Sequence, residues 1–315
     1  MGKADCLISF VIVNYQTSHL VRRLLASLQN VTIPHEIIVV DNASPNSDWQ
    51  DLQDLPIALI RSDTNLGYGL GCNLGAQEAH GEFLCILNPD IIVPEGAIER
   101  WLATAQRLLG QRRPVGIVAP RLTYENGVEQ LSAYRFPTMW SYWSAHSICA
   151  GLVKYARKRL GFGSRTAHSS LRSVDWVMGS AMLIPRAAWD SVGGFSSRYF
   201  FYAEDTDLCW RMRRAGFEVF YAPEVTLIHT QGESAPQKRA EACKRLFSGL
   251  KVFLEDNYSP ARRKRVEYCV IADMVLRILL LSPTLLWRRD DPLLQARLHG
   301  YREVLRMYWQ DLRKT

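Results

Sequence analysis

Unbroken apolar runs and helically spaced apolar residues alternate through the first 120 residues. Leu7-Ile8-Ser9-Phe10-Val11-Ile12-Val13 reads as a strand buried on both faces. Residues 18–29 carry Leu20, Val21, Leu24, Leu25 and Leu28 at helical spacing. Strands are predicted over 36–40, 57–60, 82–87 and 115–119, and helices over 68–80 and from Pro94 onward. Repeated β-α-β units predict an α/β fold, a parallel sheet with helices on both faces. Farther on, the pattern predicts a strand over 174–184, a helix over 204–214, and strands over 217–221 and 225–229.

The polar residues fall at regular places on this pattern. Asn14-Tyr15, Asp41-Asn42 and Asn88-Pro89-Asp90 each follow the carboxyl end of an apolar strand. Ligands of open α/β sheets bind in the crevice beyond those ends, so three such pairs in one sheet predict a binding crevice.

After residue 234 the chain reads as helical. Cys243, Leu246, Phe247, Leu250, Phe253 and Leu254 form one apolar stripe. Residues 270–287 are very apolar, but Asp273, Arg277 and Pro283 interrupt them. A spanning helix needs about 20 largely uncharged residues. An interfacial helix ending at Trp287-Arg288-Arg289 and an ordinary pair of core helices both fit. The stretch 136–170, with Trp140, Tyr142, Trp143, Lys154, Arg157, Lys158 and Arg159, reads either as an exposed amphipathic segment or as a packed lid.

Charge sharpens this division. Residues 236–315 hold 17 Lys and Arg against 9 Asp and Glu, while residues 1–235 hold 21 against 22. The whole net charge of +7 therefore comes from the last 80 residues. Such a tail suits an anionic membrane surface, and no helix-turn-helix, zinc or RNP-type pattern points to nucleic acid. Seven scattered cysteines without a C-x-x-C pair argue against a disulfide framework and for a reducing cytosol. The opening Met1-Gly2-Lys3-Ala4-Asp5 shows no secretory leader. The expectation is a cytoplasmic chain.

Four segments could carry chemistry. Glu204-Asp205-Thr206-Asp207 opens a predicted helix after the aromatic run Tyr199-Phe200-Phe201-Tyr202. It reads equally as capping acids or as a positioned general base. Asp207 stands one turn before Arg211, the spacing of a helix ion pair. Asp90, oriented by Pro89, could ligate a hard divalent cation, or simply form a turn. His229 ends a strand and could ligate a metal or be a structural imidazole. Gly67-Tyr68-Gly69-Leu70-Gly71-Cys72 fails the G-x-G-x-x-G dinucleotide pattern at Cys72 and follows the third strand, so NAD binding is rejected.

Taken in order, Val13-Asn14-Tyr15, Val40-Asp41-Asn42-Ala43-Ser44, Asn65-Leu66-Gly67-Tyr68-Gly69, Leu87-Asn88-Pro89-Asp90, Gly179-Ser180-Ala181, Glu204-Asp205-Thr206-Asp207 and His229-x-x-Gly232-x-Ser234 resemble family 2 glycosyltransferases. The likeness is to their bacterial rhamnosyltransferase-like branch and covers about residues 7–235. It implies the GT-A fold, a Rossmann-like nucleotide-binding sheet, over 1–235, with a nucleotide-sugar half to about 120 and an acceptor half after it. A basic helical extension would occupy 236–315. By resemblance, Asp41 would hydrogen-bond the pyrimidine base, and Asn14, Tyr15, Asn42, Asn65, Gly67 and Asn88 would serve the nucleotide donor. Asp90 would bind Mg2+ or Mn2+ on the donor diphosphate, with Asn88 where the family usually has the first aspartate of Asp-x-Asp. His229 would approach the metal, Asp205 would be the catalytic base, and Trp176, Gly179, Ser180 and Glu204 would lie on the acceptor side.

The resemblance further implies an inverting transfer from a dTDP- or UDP-sugar, first of all dTDP-rhamnose. The acceptor would be a glycan or polyprenyl-diphosphate-linked glycan of a surface polysaccharide such as O-antigen, at the cytoplasmic face of the membrane. Two competing readings stay open. A nucleotidyltransferase should show a Gly-rich basic phosphate loop after the first strand, where this chain has Asn14-Tyr15-Gln16-Thr17-Ser18. A non-catalytic nucleotide-sugar-binding or scaffold subunit would not require Asp90, Asp205 and His229 together.

Overall fold

The structure is a computed structural model and describes residues 6–145, 147–148, 150–151, 170–230, 236–286 and 291–312. In chain order the elements are β1 (Ile8–Asn14), α1 (Ser18–Leu28), β2 (His35–Asp41), β3 (Ala58–Arg61), α2 (Tyr68–Glu78), β4 (Phe83–Leu87), β5 (Ile91–Ile92), α3 (Ala97–Gly110), β6 (Val115–Thr123), β7 (Glu129–Gln130) and β8 (Ala133–Tyr134). There follow α4 (Met139–Ala145), β9 (Arg172–Val174), β10 (Trp176–Val177), β11 (Ala181–Pro185), α5 (Arg186–Val192), α6 (Glu204–Arg214), β12 (Glu218–His229), α7 (Pro236–Asn257), α8 (Pro260–Leu281) and α9 (Pro292–Leu312). They form two compact units. The first takes the chain to residue 135 plus described residues of 170–200 and 204–230; the second takes those of 136–151, 201–203 and 236–312.

The first unit is built on one large sheet with strand order β3-β2-β1-β4-β11-β6-β12-β5. β1 to β4 run parallel, as do β6 and β12. β11 is antiparallel to both β4 and β6, so the sheet is mixed where an all-parallel one was expected. Hydrophobic periodicity reports burial and is silent on direction, and β11 enters the gap between β4 and β6 from the opposite end.

Two strand boundaries also differ from expectation. The run 174–184 divides into β9, β10 and β11, paired respectively to β12, β8 and β4. The expected pair of strands at 217–229 is one strand, β12, with its register broken between Ala222 and Thr226. Pro223 lies in that break, where its missing N–H removes no ladder bond. The helix expected from Pro94 begins at Ala97, after Gly96 turns with φ 68°.

Alternation along the strands sorts the helices. Phe10, Ile12, Val39, Cys85 and Leu87 point to one face, where Val21, Leu24 and Leu28 of α1 and Ile98, Trp101 and Ala105 of α3 complete a buried core. The opposite set, Val11, Ile38 and Val40, meets α2 at Gly75, where a Cβ would sit 2.6 Å from Val11 and 3.1 Å from Val40. Gly71, one of the glycines that mimic a dinucleotide fingerprint, makes a similar approach, with a Cβ there only 3.0 Å from Val13.

In the second unit, Val270 and Met274 of α8 pack with Tyr142, Phe247, Val304 and Tyr308. Asp273 is fully buried; it accepts from Tyr142 Oη at 2.9 Å and Ile148 N at 2.8 Å and pairs with Arg277 at 2.8 Å. The two charges that interrupt the apolar run therefore form a satisfied pair one helical turn apart. Val275, Leu279 and Leu280 of the same helix are exposed. Among the described residues no helix is long and apolar enough to cross a membrane. Lys154, Arg157, Lys158, Arg159, Trp287, Arg288, Arg289, Gly232 and Ser234 lie outside the described residues.

Candidate active site

The parallel register puts Asn14 beside Asp41 at the carboxyl ends of β1 and β2. Asn14 is fully buried. Its amide nitrogen donates to Asp41 Oδ1 and Asp48 Oδ2, both at 2.9 Å, and its amide oxygen accepts from Thr17 N and Oγ1. Asn14 thereby holds Asp41, itself 1% exposed, together with Asp48. The other Asp41 oxygen accepts from Ser44 N at 3.2 Å. Tyr15, by contrast, is exposed.

Asn42 is buried too and organises the next turn. Its nitrogen donates to Asn65 Oδ1 (3.1 Å) and Gly67 O (3.0 Å), and its oxygen accepts from Leu66 N. Asn65 Oδ1 also accepts from Gly67 N at 3.0 Å. Gly67 has φ 83°, and a Cβ there would meet Phe200 O at 2.1 Å, so only glycine fits this entry to α2.

A second group forms where β4 meets β11. Ala181 lies opposite Leu87, and Asn88 N donates to Ser180 O at 2.9 Å. The adjoining Gly179 N donates to Asp205 Oδ2 at 2.9 Å, and Tyr68 Oη donates to Gly179 O at 2.8 Å. A Cβ at Gly179 would come within 3.2 Å of the Asp205 Cβ. Asn88, Gly179, Ser180, Glu204 and Asp205 are thereby assembled from three distant stretches of chain. Trp176 stands at the rim, stacked on Tyr134 at 4.4 Å with its Nε1 donating to Arg135 O.

Burial pushes the Asp205 carboxyl up from its ordinary value, against the pull of bonds from Gly179 N and Thr206 N. Burial, with the charge of Asp205, also pushes Glu204 up. Among the described residues, Glu204 Oε2 is buried without a hydrogen-bond partner. Burial and the Asp205 carboxylate raise the Tyr134 phenol to about 12. Asp207, as its spacing predicts, is held by Arg211 at 2.7 Å.

The third group lies where β5 pairs with β12, Ile91 opposite His229. His229 Nε2 is 3.2 Å from Asp90 Oδ1. Thr230 N and Oγ1 both donate to Asp90 O, at 3.0 and 3.2 Å. Gln130 on β7, which sequence reasoning passed over, contacts His229 twice. It stands 99 positions from the histidine in a segment without any pattern, so no local signal marks it.

A divalent cation of the Mg2+ type binds ligands at about 2.1 Å and right angles, which sets neighbouring ligand atoms about 3 Å apart. The Asp90–His229 spacing fits that edge. Among the described residues no group of three or more His, Cys, Asp or Glu side chains is arranged for a metal. A cation here would complete its shell with oxygens from a bound phosphate and water, the usual habit of Mg2+.

The chain is similar to known glycosyltransferases. The chain is 27% identical over 281 residues to the N-acetylglucosaminyl-diphospho-decaprenol L-rhamnosyltransferase of Mycobacterium tuberculosis, covering 85% of this chain and 90% of that one. It is 25% identical over 230 residues to rhamnosyltransferase WbbL of Escherichia coli, covering 71% and 83%. A mannosyltransferase of Pyrobaculum calidifontis, solved with GDP-Man and Mn2+, has the same fold, with TM-score 0.56 and 15% identity over 96% of this chain and 87% of that one. The family description Glycosyl transferase family 2 matches residues 9–158, and Glycosyl transferase family group 2 matches residues 125–300, more than half of the chain. The sheet is the GT-A fold, and the chain belongs to the family 2 glycosyltransferases.

Proposed function

We propose that this glycosyltransferase moves a sugar, rhamnose from dTDP-rhamnose as first choice, onto a polyprenyl-diphosphate-linked glycan in surface polysaccharide synthesis. The observation that carries the reading is the Gly179-Ser180 turn. It is bonded on one side to Asn88, two residues from Asp90, and on the other to Asp205. One short turn therefore links the diphosphate end of the crevice to the base.

The displacement is a single in-line attack at the anomeric carbon, with inversion. Asp205 takes the proton from the acceptor hydroxyl as that oxygen attacks. Its raised affinity for protons suits a carboxylate that must accept one. Asp41 binds the pyrimidine edge, held by Asn14, while Asn42 sets the 65–67 turn beside the nucleotide. Asp90 and His229 would hold Mg2+ or Mn2+, which when bound supplies positive charge to the departing nucleoside diphosphate. Glu204, Trp176 and Ser180 line the acceptor side. The decaprenol-linked substrate named for the mycobacterial relative, and the basic C-terminal helices with exposed leucines on α8, support work at the cytoplasmic membrane surface.

The test is a thermal-shift panel of dTDP, UDP and GDP with and without Mn2+, followed by turnover of Asp205→Asn with the donor so identified. A metal-dependent shift with dTDP or UDP is expected. Asp205→Asn should keep that shift and lose at least about a hundredfold in turnover, the lower range for a general base. Unchanged turnover would remove Asp205 from the role.

A further inference from the structure

We infer that Gln130 is a positioning residue that fixes the tautomer of His229, placing the proton on Nδ1 and turning the Nε2 lone pair toward Asp90 and a cation held there. The second half of this inference rests on the metal reading of Asp90 and His229 given above.

The argument starts from the amide of Gln130. Its Nε2 donates to the backbone O of His229 at 2.7 Å. A carbonyl oxygen only accepts, so the NH2 end of the amide must face it. The Oε1 end is then the one 2.8 Å from His229 Nδ1. An amide oxygen only accepts as well, so Nδ1 carries the hydrogen. Turning the amide over would oppose oxygen to oxygen at one contact and bring NH2 against the ring at the other. Both residues are about 4% exposed, which keeps water from replacing either bond.

With the proton on Nδ1, the neutral ring presents a bare Nε2, and Nε2 is the atom 3.2 Å from Asp90 Oδ1. Two acceptors facing at that distance repel unless a proton or a cation joins them, and in the neutral ring only a cation can. The Asp90 backbone is held at its carbonyl by Thr230 and by the β5–β12 pairing. His229 is fixed by Gln130. β7 itself is two residues long and hydrogen-bonded to β6 at Leu122 and Thr123, with Glu129 tied to Tyr221 Oη at 3.1 Å. A strand this short, placed beside the crevice and anchored on both residues, is accounted for by the side chain it delivers. Partners behind a metal-binding imidazole set its orientation and basicity, and their loss costs about 10- to 100-fold in metal affinity.

The experiment uses the full chain labelled with 15N in its histidine rings, free of metal, with His229→Gln to assign the signals. Long-range 1H–15N correlation reports which ring nitrogen bears the proton. A proton on Nδ1 with a bare Nε2 in the wild-type protein, the Nδ1 proton being lost in Gln130→Leu, is expected. A bare Nδ1, or a ring protonated on both nitrogens, in the wild-type protein overturns the inference, and that spectrum decides even if the variant does not fold. Gln130→Ala serves as the second variant. Mn2+ is then titrated by electron paramagnetic resonance in the presence of dTDP or UDP. Gln130→Leu should bind Mn2+ about 10- to 100-fold more weakly than wild type. Equal affinity, with the variant folded, overturns the role toward the cation. No Mn2+ binding by the wild type defeats the metal reading itself, and with it the use made of the lone pair, whereas the tautomer is decided separately in the metal-free protein.

Discussion

The amide of Asn14 serves two carboxylates at once, those of Asp41 and Asp48. A polar side chain placed at a strand end thus also supports the residue beside it. Glu204 is the converse case, a carboxyl whose Oε2 is buried without a hydrogen-bond partner among the described residues. Burial and the neighbouring Asp205 raise its pKa, so the fold favours its protonated form. The stabilisation this brings is complete below the ordinary carboxyl range and is lost as pH rises through the raised value. Glu204→Gln keeps the group neutral throughout. We expect its Tm to match wild type near pH 5 and to exceed it by a few degrees near pH 9, since about 1 kcal/mol moves Tm by roughly 2–4 °C at this domain size. A Tm advantage equal at both pH values would contradict the buried charge. Asp205 is raised by the same burial, so turnover should fall as pH drops through a value above the usual aspartate range.

Elements follow the same logic at larger spacing. α2 lies close to the sheet because Gly75 has no side chain to hold it off. Gly75→Ala should cost about 1–3 kcal/mol, the usual range for overpacking, read as a lower urea midpoint at unchanged slope. A midpoint within error of wild type would mean that the helix shifts freely. The strands β1 to β4 and the helices between them were legible because each is a run of one period bounded by polar residues. β11 was legible as apolar but not as antiparallel, since direction leaves no trace in hydrophobic period. The break of 174–184 into three strands depends on three different partners, information that lies 42 to 102 residues away. Asp41, Asp90, Asp205 and His229 stood out because each polar residue ends a strand or opens a helix. Gln130 did not, because its meaning comes wholly from the histidine that it meets across the sheet.

At the scale of the whole chain, the sequence division near residue 235 and the spatial units follow different lines. Residues 136–151 and 201–203 group with the C-terminal helices. Tyr142 and Ile148, both on Asp273, show why: with Arg277, their polar groups satisfy the carboxylate that α8 buries. The insertion of β11 between β4 and β6 has a consequence in time as well as in space. β4 ends at Leu87 and β11 begins at Ala181, so both flanking strands leave the ribosome long before the strand that joins them. At about 5–20 residues per second, the β4 edge stays unpaired for roughly 5–20 s and the β6 edge, which ends at Thr123, for roughly 3–12 s. Non-local pairing of this kind is slow to form. In pulse-labelled hydrogen exchange during refolding, amides of β1 and β2 should become protected before those of β11, and simultaneous protection would show that the sheet closes in one step. A nascent chain of this protein is therefore expected to carry two sticky seams through much of its synthesis, and its yield in cells to depend on what shields them.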